Sequence, residues 1–198
     1  MFADHTKAWS RAGQLAELGM FFKSKPEATS PALSSSLAAS GVKPGSLRRI
    51  KILAQLDDAH LEALFHCMEL LRFQQFASVV AKGDHGDAMY FVLEGELRAR
   101  TLIDGKETIL STLAPGEFFG EISLLDQGPR SLDVIANTDS AILRLSAQAF
   151  EKMVRETPEL ATPVLYALSK SIVGRVRILT KRYEDSIHLA RVAGNVGH

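Results

Sequence analysis

The apolar positions change period twice along the chain. From Leu47 to Leu71 they recur at three- and four-residue steps, through Leu53, Leu56, Leu61, Leu64, Phe65 and Met68, which predicts helix. Asp57-Asp58 supplies an N-terminal cap for a helix over 59–71. Beyond Leu71 the runs are short and alternating, at 76–80, 89–93, 97–103, 108–113, 133–136 and 141–145. They are broken at Gly83-Asp84, Gly86-Asp87, Glu94-Gly95, Asp104-Gly105 and Pro115-Gly116. Short strands separated by such turns predict a small β-barrel or jelly roll, and Asp104-Gly105 is the best single hairpin signal.

Helical period returns after Ser146. Thr157-Pro158-Glu159 is a good helix start, with Thr at the cap and Pro at the first helical position. Pro163 one turn later predicts a kink, or a restart after Thr162. Leu165, Leu168, Ile172, Val176, Leu179 and Tyr183 then step by 3, 4, 4, 3 and 4. That narrow stripe suits one partner helix, so a homodimer seam is favoured over packing back onto the barrel.

The fold class expected is mainly β with flanking helices: an eight-stranded jelly-roll β-barrel, N-terminal helices and a long C-terminal helix. Residues 1–23 read as an amphipathic helix, with Trp9, Ala12, Leu15, Leu18 and Phe22 on one side, packing on the domain or a partner rather than on a membrane. Residues 24–46 hold seven serines, three prolines and two glycines and read as a flexible linker. The barrel with its helices is placed at 47–157, the C-terminal helix at 158–190 and a tail at 191–198.

Composition narrows the class. At 198 residues, 46% hydrophobic and 23% charged, the chain is an ordinary globular length and mix. No run has the ~18 apolar residues of a membrane span, and the N-terminus has no secretory pattern. A single cysteine, Cys67, excludes an internal disulfide framework or a four-cysteine cluster, and a cytoplasmic setting is expected. The net charge of zero hides a −8 centre (51–140) between flanks of +4 each. An acidic centre is a poor surface for DNA or RNA, so any anion must be held by a few placed groups.

Such groups lie in 115–136. Phe118-Phe119-Gly120 ends a strand and opens a sharp turn, and Glu121-Ile122-Ser123-Leu124-Leu125 can form one helical turn whose free N–H groups face an anion. Arg130, nine positions after Glu121, can grip a phosphate through two parallel hydrogen bonds. Phosphate would repel Glu121, so its carboxylate should face neutral donors such as a sugar hydroxyl. The combination suits a ribose phosphate.

This stretch resembles the phosphate-binding cassette of cyclic-nucleotide-binding domains, the modules of catabolite-activator-type regulators, protein kinase A regulatory subunits and cyclic-nucleotide-gated channels. The run from Gly83 to Leu97 resembles the same family's glycine-turn and strand signature, and the likeness covers about 47–185. The resemblance implies that Glu121 accepts from the ribose 2′-hydroxyl and Arg130 holds the cyclic phosphate. It places Gly120, Ile122, Ser123 and Ser131 along that phosphate. Leu110 and Leu113 match the apolar floor under the base, Ala99 lines the same pocket, and the C-terminal helix is similar to a lid and dimer helix. From that helix Ser171, Ile172, Arg175 or Val176 is expected to reach the base, with Arg175 counted in the base pocket. Cyclic AMP is the favoured ligand, with cyclic GMP possible.

Two positions depart from the pattern. Leu132 and Asp133 follow Arg130-Ser131 where smaller or hydroxyl residues are common, and Asp133 is expected to point to solvent. Too little sequence follows Asp185 for a recognition helix, so no DNA is expected as partner. The six histidines form no His-x-His pair, and no nucleophile sits with Glu121, so neither a metal site nor an enzyme is expected. The function implied is a stand-alone cyclic-nucleotide sensor that signals to an unidentified partner protein through its C-terminal helix. The alternatives are a degenerate interaction module and a regulatory fragment of a larger transcription factor or effector.

Overall fold

The structure, a computed structural model, describes residues 41–195. The expected helix at 1–23, most of the linker and the end of the tail lie outside the described residues. A 3₁₀ turn, Pro44–Arg49, begins inside the expected linker. Leu47, Ile50, Leu53 and Leu56 are all buried. The helical spacing over 47–56 therefore marks core side chains on a short 3₁₀ helix and the turns after it, not an α-helix.

Helix α1, Asp58–His66, begins where the cap is expected. The Asp57 carboxylate accepts from the His60 N–H at 2.8 Å. That amide, and then the His60 ring, hold the Asp57 carboxyl below its usual range. The helix ends at His66, not at 71, because the next residues leave it for strand β1, Glu69–Phe73. There Leu70 packs under the helices and Leu71 and Phe73 pack between the sheets. A strand with apolar groups on both faces gives no alternation, so it reads as the end of a helix.

The remaining strands are β2 (Ser78–Val80), β3 (Ala88–Glu94), β4 (Leu97–Ile103), β5 (Lys106–Leu113), β6 (Phe118–Phe119), β7 (Asp133–Ala136) and β8 (Ser140–Ser146). The run expected at 76–80 is shorter because Phe76 takes a left-handed φ of 67° and stays exposed. The β4–β5 hairpin turns at Asp104-Gly105, as expected.

These eight antiparallel strands form two sheets, ordered β1-β8-β3-β6 and β2-β7-β4-β5. The closed jelly-roll barrel that the spacing suggested is not formed among the described residues, where no ladder joins the two sheets. The first sheet is buried on both faces. Met89, Phe91, Leu143 and Leu145 meet the helices, while Tyr90, Val92 and Ile142 meet the second sheet.

Helices α2 (Glu121–Asp126), α3 (Ala147–Glu156) and α4 (Pro158–Asn195) complete the fold. Ser146 caps α3 by accepting from the Ala149 N–H at 3.1 Å. Helix α4 continues through Pro163 without the restart expected there, and it runs five residues past 190 into the expected tail. Pro163 lies in the second turn, where it removes one intrahelical bond. Leu160, Ala161, Val164 and Leu168 bury the near end of α4 in the helical core. Past Leu168 the apolar side chains Val173, Val176, Leu179 and Tyr183 are exposed.

Leu168 is the last fully buried side chain of α4, at 0% exposure. Leu168→Ala should cost about 2–5 kcal/mol. Equilibrium urea unfolding of the full chain checks this, and a midpoint equal to that of the wild type would refute the docking of α4.

Candidate functional site

Where α2 begins, three constraints meet. Gly120 stands at its N-cap with φ 80°, and no side chain caps the helix. The first intrahelical bond is donated by Leu124 to the Gly120 carbonyl, at 3.1 Å. The N–H groups of Glu121, Ile122 and Ser123 therefore have no intrahelical acceptor. The left-handed turn at Gly120 is enforced by space as well as by direction. A Cβ there would lie 2.8 Å from Arg130 Nη1 and 2.9 Å from the Ala88 carbonyl oxygen.

Arg130 is held from several sides although it is only 6% exposed. Its Nη1 donates to the Ala88 carbonyl at 2.8 Å, and its Nη2 lies 3.5 Å from Asp87 Oδ1. The guanidinium also sits 5.3 Å from the centre of the Tyr90 ring. Its backbone is clasped by the turn after β2. The Arg130 N–H donates to the Asp84 carbonyl at 2.8 Å, and the Gly83 N–H donates to the Arg130 carbonyl at 2.9 Å. Gly86 lets that turn approach, because a Cβ there would lie 2.3 Å from the Ser123 side chain.

Asp87 is shared with Arg144, whose Nη2 donates to it at 2.7 Å and whose Nη1 reaches Glu69 at 3.1 Å. Burial alone would lower the Arg144 pKa; Asp87, Tyr90 and Glu69 outweigh it and hold the group above its ordinary value. Glu69, Arg144, Asp87 and Arg130 thus form one ion-pair chain that leads from the surface to the buried guanidinium.

Arg130 opens onto a cavity of about 450 Å³, within the range of small-molecule sites. All ten sequence-derived site residues line it: Gly120, Glu121, Ile122, Ser123, Arg130 and Ser131 at one end, with Ala99, Leu110, Leu113 and Arg175 around them. Their placement differs from expectation in one respect. Arg175, assigned to the base pocket, donates through Nη1 to Glu121 Oε1 at 2.5 Å and through Nη2 to the Phe118 carbonyl at 3.1 Å. Its guanidinium lies 4.8 Å from the Phe118 ring centre. Glu121 is 3% exposed, so the carboxylate expected to face neutral donors instead carries an ion pair from α4.

Ser171, Ile172 and Val176 are not among the lining residues. Ile178, Leu179 and Arg182 are, and sequence reasoning missed them. The signal was present: positions 175, 178, 179 and 182 follow the 3, 4 and 7 spacing of a single helix face. Leu132 also lines the cavity, whereas Asp133 points away from it. The Asp133 carboxylate accepts from the Lys82 N–H at 2.7 Å and lies 3.7 Å from Arg100 Nε.

The arrangement suits a small ligand with an anionic end and an apolar body. The buried Arg130 and the three α2 residues whose amides lack an intrahelical acceptor line one part of the cavity, and Ala99, Leu113 and Val134 wall another. Among the described residues no group of three or more His, Cys, Asp or Glu side chains is placed to hold a metal ion. Nor is any described helix long and apolar enough to cross a membrane.

Comparison with known proteins agrees with this chemistry. The family model described as "Cyclic nucleotide-binding domain" matches residues 70–157. The cyclic AMP receptor protein of Thermus thermophilus is 36% identical over 101 residues, covering 50% of this chain and 47% of that protein. The crystal structure of the N-terminal domain of a transcriptional regulator from Streptomyces coelicolor is 32% identical, with a TM-score of 0.60 over 66% of this chain and 94% of that one. The regulatory domain of Toxoplasma gondii PKA, crystallised with cAMP, is 28% identical, with a TM-score of 0.51 over 57% of this chain and 43% of that one. The chain spans about half the length of the receptor and transcriptional-regulator relatives it matches and about a quarter of the kinase regulatory subunits.

Gly120 is the position at which this geometry is most sensitive. Gly120→Ala should cost about 1–3 kcal/mol in backbone strain alone and should displace Arg130. Urea unfolding reads the first effect, and an unchanged midpoint would show that the turn tolerates a side chain.

Proposed function

Residues 70–157 belong to the cyclic nucleotide-binding domain family, and on that premise we propose that this protein is a cyclic-nucleotide sensor, a regulatory binding protein rather than an enzyme. The observation that carries this reading is the convergence of Arg130, Glu121 and the first amides of α2 on one cavity that α4 covers. The names of the relatives support cAMP as a ligand.

In this reading the cyclic phosphate lies on the Arg130 guanidinium and the N–H groups of Ile122 and Ser123, with Gly120 and Ser131 beside it. Arg130 has donors to spare, since two of its five N–H groups serve Ala88 and Asp87. The ribose 2′-hydroxyl donates to Glu121. Glu121 Oε1 is taken by Arg175, and Oε2 has no protein partner among the described residues. The base rests on Ala99, Leu110 and Leu113, under Ile178 and Leu179 of α4.

The same contacts suggest how the signal leaves the site. Glu121 is held in common by the ligand and by Arg175, so occupation of the cassette biases the position of α4. Only a ligand that favours one helix position over another transmits anything. The exposed far half of α4 is the output surface, open to a partner protein or to a second copy through Val176, Leu179 and Tyr183.

Calorimetric titration of the full chain with cAMP and cGMP tests the reading. Micromolar or tighter binding of either is expected, and no heat or thermal stabilisation with both would favour the degenerate module. Charge-assisted hydrogen bonds contribute about 1.5–3 kcal/mol each. Arg130→Ala should therefore weaken binding at least ~10-fold, and Arg130→Lys, which keeps the charge but not the fork, should also weaken it. Undiminished affinity in both variants would remove Arg130 from the site. Arg175→Ala should increase amide exchange in 170–190 of the ligand-free chain, and unchanged exchange would show that the Glu121 ion pair does not hold α4.

A further inference from the structure

A second cavity, of about 490 Å³, lies between the 3₁₀ turn and the first sheet, and no residue lines both it and the cavity at Arg130. Its walls carry Lys43, Arg49 and Arg72, opposed by one carboxylate, Glu94. None of these four side chains has a hydrogen-bond or ion-pair partner among the described residues. That sets the two arginines apart. Of the described arginines on the 3₁₀ turn and the strands, Arg48, Arg98, Arg100 and Arg144 each hold a carboxylate, and Arg49 and Arg72 alone do not. The backbone fixes where they stand. Leu47 and Ile50, to either side of Arg49, are fully buried, and the Lys51 N–H donates to the Gly116 carbonyl at 3.3 Å. Arg72 on β1 and Glu94 on β3 are both in register with Ala141 of β8. They stand two strand spacings apart, about 10 Å, and no ion pair closes that gap.

Three cations and one carboxylate leave the cavity with a net charge of +2. That matches a phosphate monoester, which approaches a dianion at neutral pH. Each guanidinium offers a fork of parallel donors that phosphate oxygens accept. Glu94 repels a bare phosphate but accepts from a hydroxyl. We propose that this cavity is a second ligand site, for a small phosphate ester whose body bears hydroxyl groups, of the sugar-phosphate class. Arg49 and Arg72 hold the phosphate with Lys43 beside it, and Glu94 accepts from a hydroxyl of the body.

The probe is ribose 5-phosphate, titrated calorimetrically into the full chain, with neutral ribose and glutamate as controls. Arg130 also attracts phosphate, so the wild type is compared with Arg130→Ala and with the double variant Arg49→Ala/Arg72→Ala. Affinity should stay within about twofold in Arg130→Ala and fall at least ~10-fold in the double variant, since one charge-assisted hydrogen bond carries about that factor. Arg49→Lys/Arg72→Lys keeps the charge without the forks and should also bind more weakly than the wild type. Glu94→Gln should bind inorganic phosphate more tightly than the wild type does, because the opposing charge is gone. All of these side chains but Arg130 are exposed, so their variants should unfold thermally at the wild-type temperature without ligand. A wild type that does not bind ribose 5-phosphate, or undiminished binding in either double variant, overturns the proposal. So does loss of binding in Arg130→Ala, which places the phosphate in the first cavity. Glutamate bound as tightly as ribose 5-phosphate overturns it too, since the attraction would then be to any anion. None of these outcomes bears on the cyclic-nucleotide reading, which stands or falls on the titrations with cAMP and cGMP.

Discussion

The fold around the cavity depends on satisfying one buried guanidinium. A charge taken out of water costs several kcal/mol unless it is paired and hydrogen-bonded. Arg130 meets that demand with the Ala88 carbonyl, the Asp87 carboxylate and the face of Tyr90, three groups within four residues where β3 begins. The strand is therefore positioned by the arginine as much as by its own ladders. The turn at 83–86 is drawn in by two backbone bonds to the same residue, and α2 is brought within glycine distance of it. An anion at this place would complete an electrostatic arrangement that the protein has already neutralised in part.

That partial neutralisation explains the reach of the ion-pair chain. Asp87 lies between two guanidinium groups, and Arg144 in turn is anchored to Glu69 on β1. The buried charge of Arg130 is thus balanced by a carboxylate that is itself balanced and half exposed. The hydrophobic effect holds the two-sided sheet, with Phe91 and Leu143 on one face and Tyr90 and Ile142 on the other. The polar chain crosses from β1 over β8 to the start of β3 and fixes what burial alone leaves free, the direction of one side chain.

Much of this was legible in the sequence because the informative signals are local. The cap at Asp57, the hairpin at Asp104-Gly105, the one-turn helix after Gly120 and the strands at 97–103 and 133–136 each follow from a few adjacent residues. The cassette residues also fell on one cavity, since they lie within a dozen positions of each other. What was not legible is what depends on distant partners. Strand β1 looks like the end of α1 because both of its faces are buried, one under the helices and one against the second sheet, and the strand it pairs with, β8, lies some seventy residues on. The closed barrel was inferred from strand spacing, which is blind to how strands divide between sheets. The ion pair between Arg175 and Glu121 is not legible either, because nothing within α4 reveals that Glu121 lies beneath it.

The stripe on α4 shows how one pattern serves two surfaces. Leu165 and Leu168 pack with the core, while Val176 and Tyr183 are exposed, so the regular 3-and-4 spacing crosses from one environment into another. Leu179 stands at the crossing: it belongs to the stripe and it lines the cavity. A side chain in that position cannot serve a ligand below and a partner helix beside it independently. Whatever covers the outer stripe also sets how far Leu179 and its neighbour Ile178 lean over the cavity. Whatever fills the cavity changes how much of Leu179 the stripe can offer. With Arg175 tying the same helix to Glu121, coupling between the inside of the cavity and the outer face of α4 requires no long pathway. It needs a single helix whose two faces share their side chains.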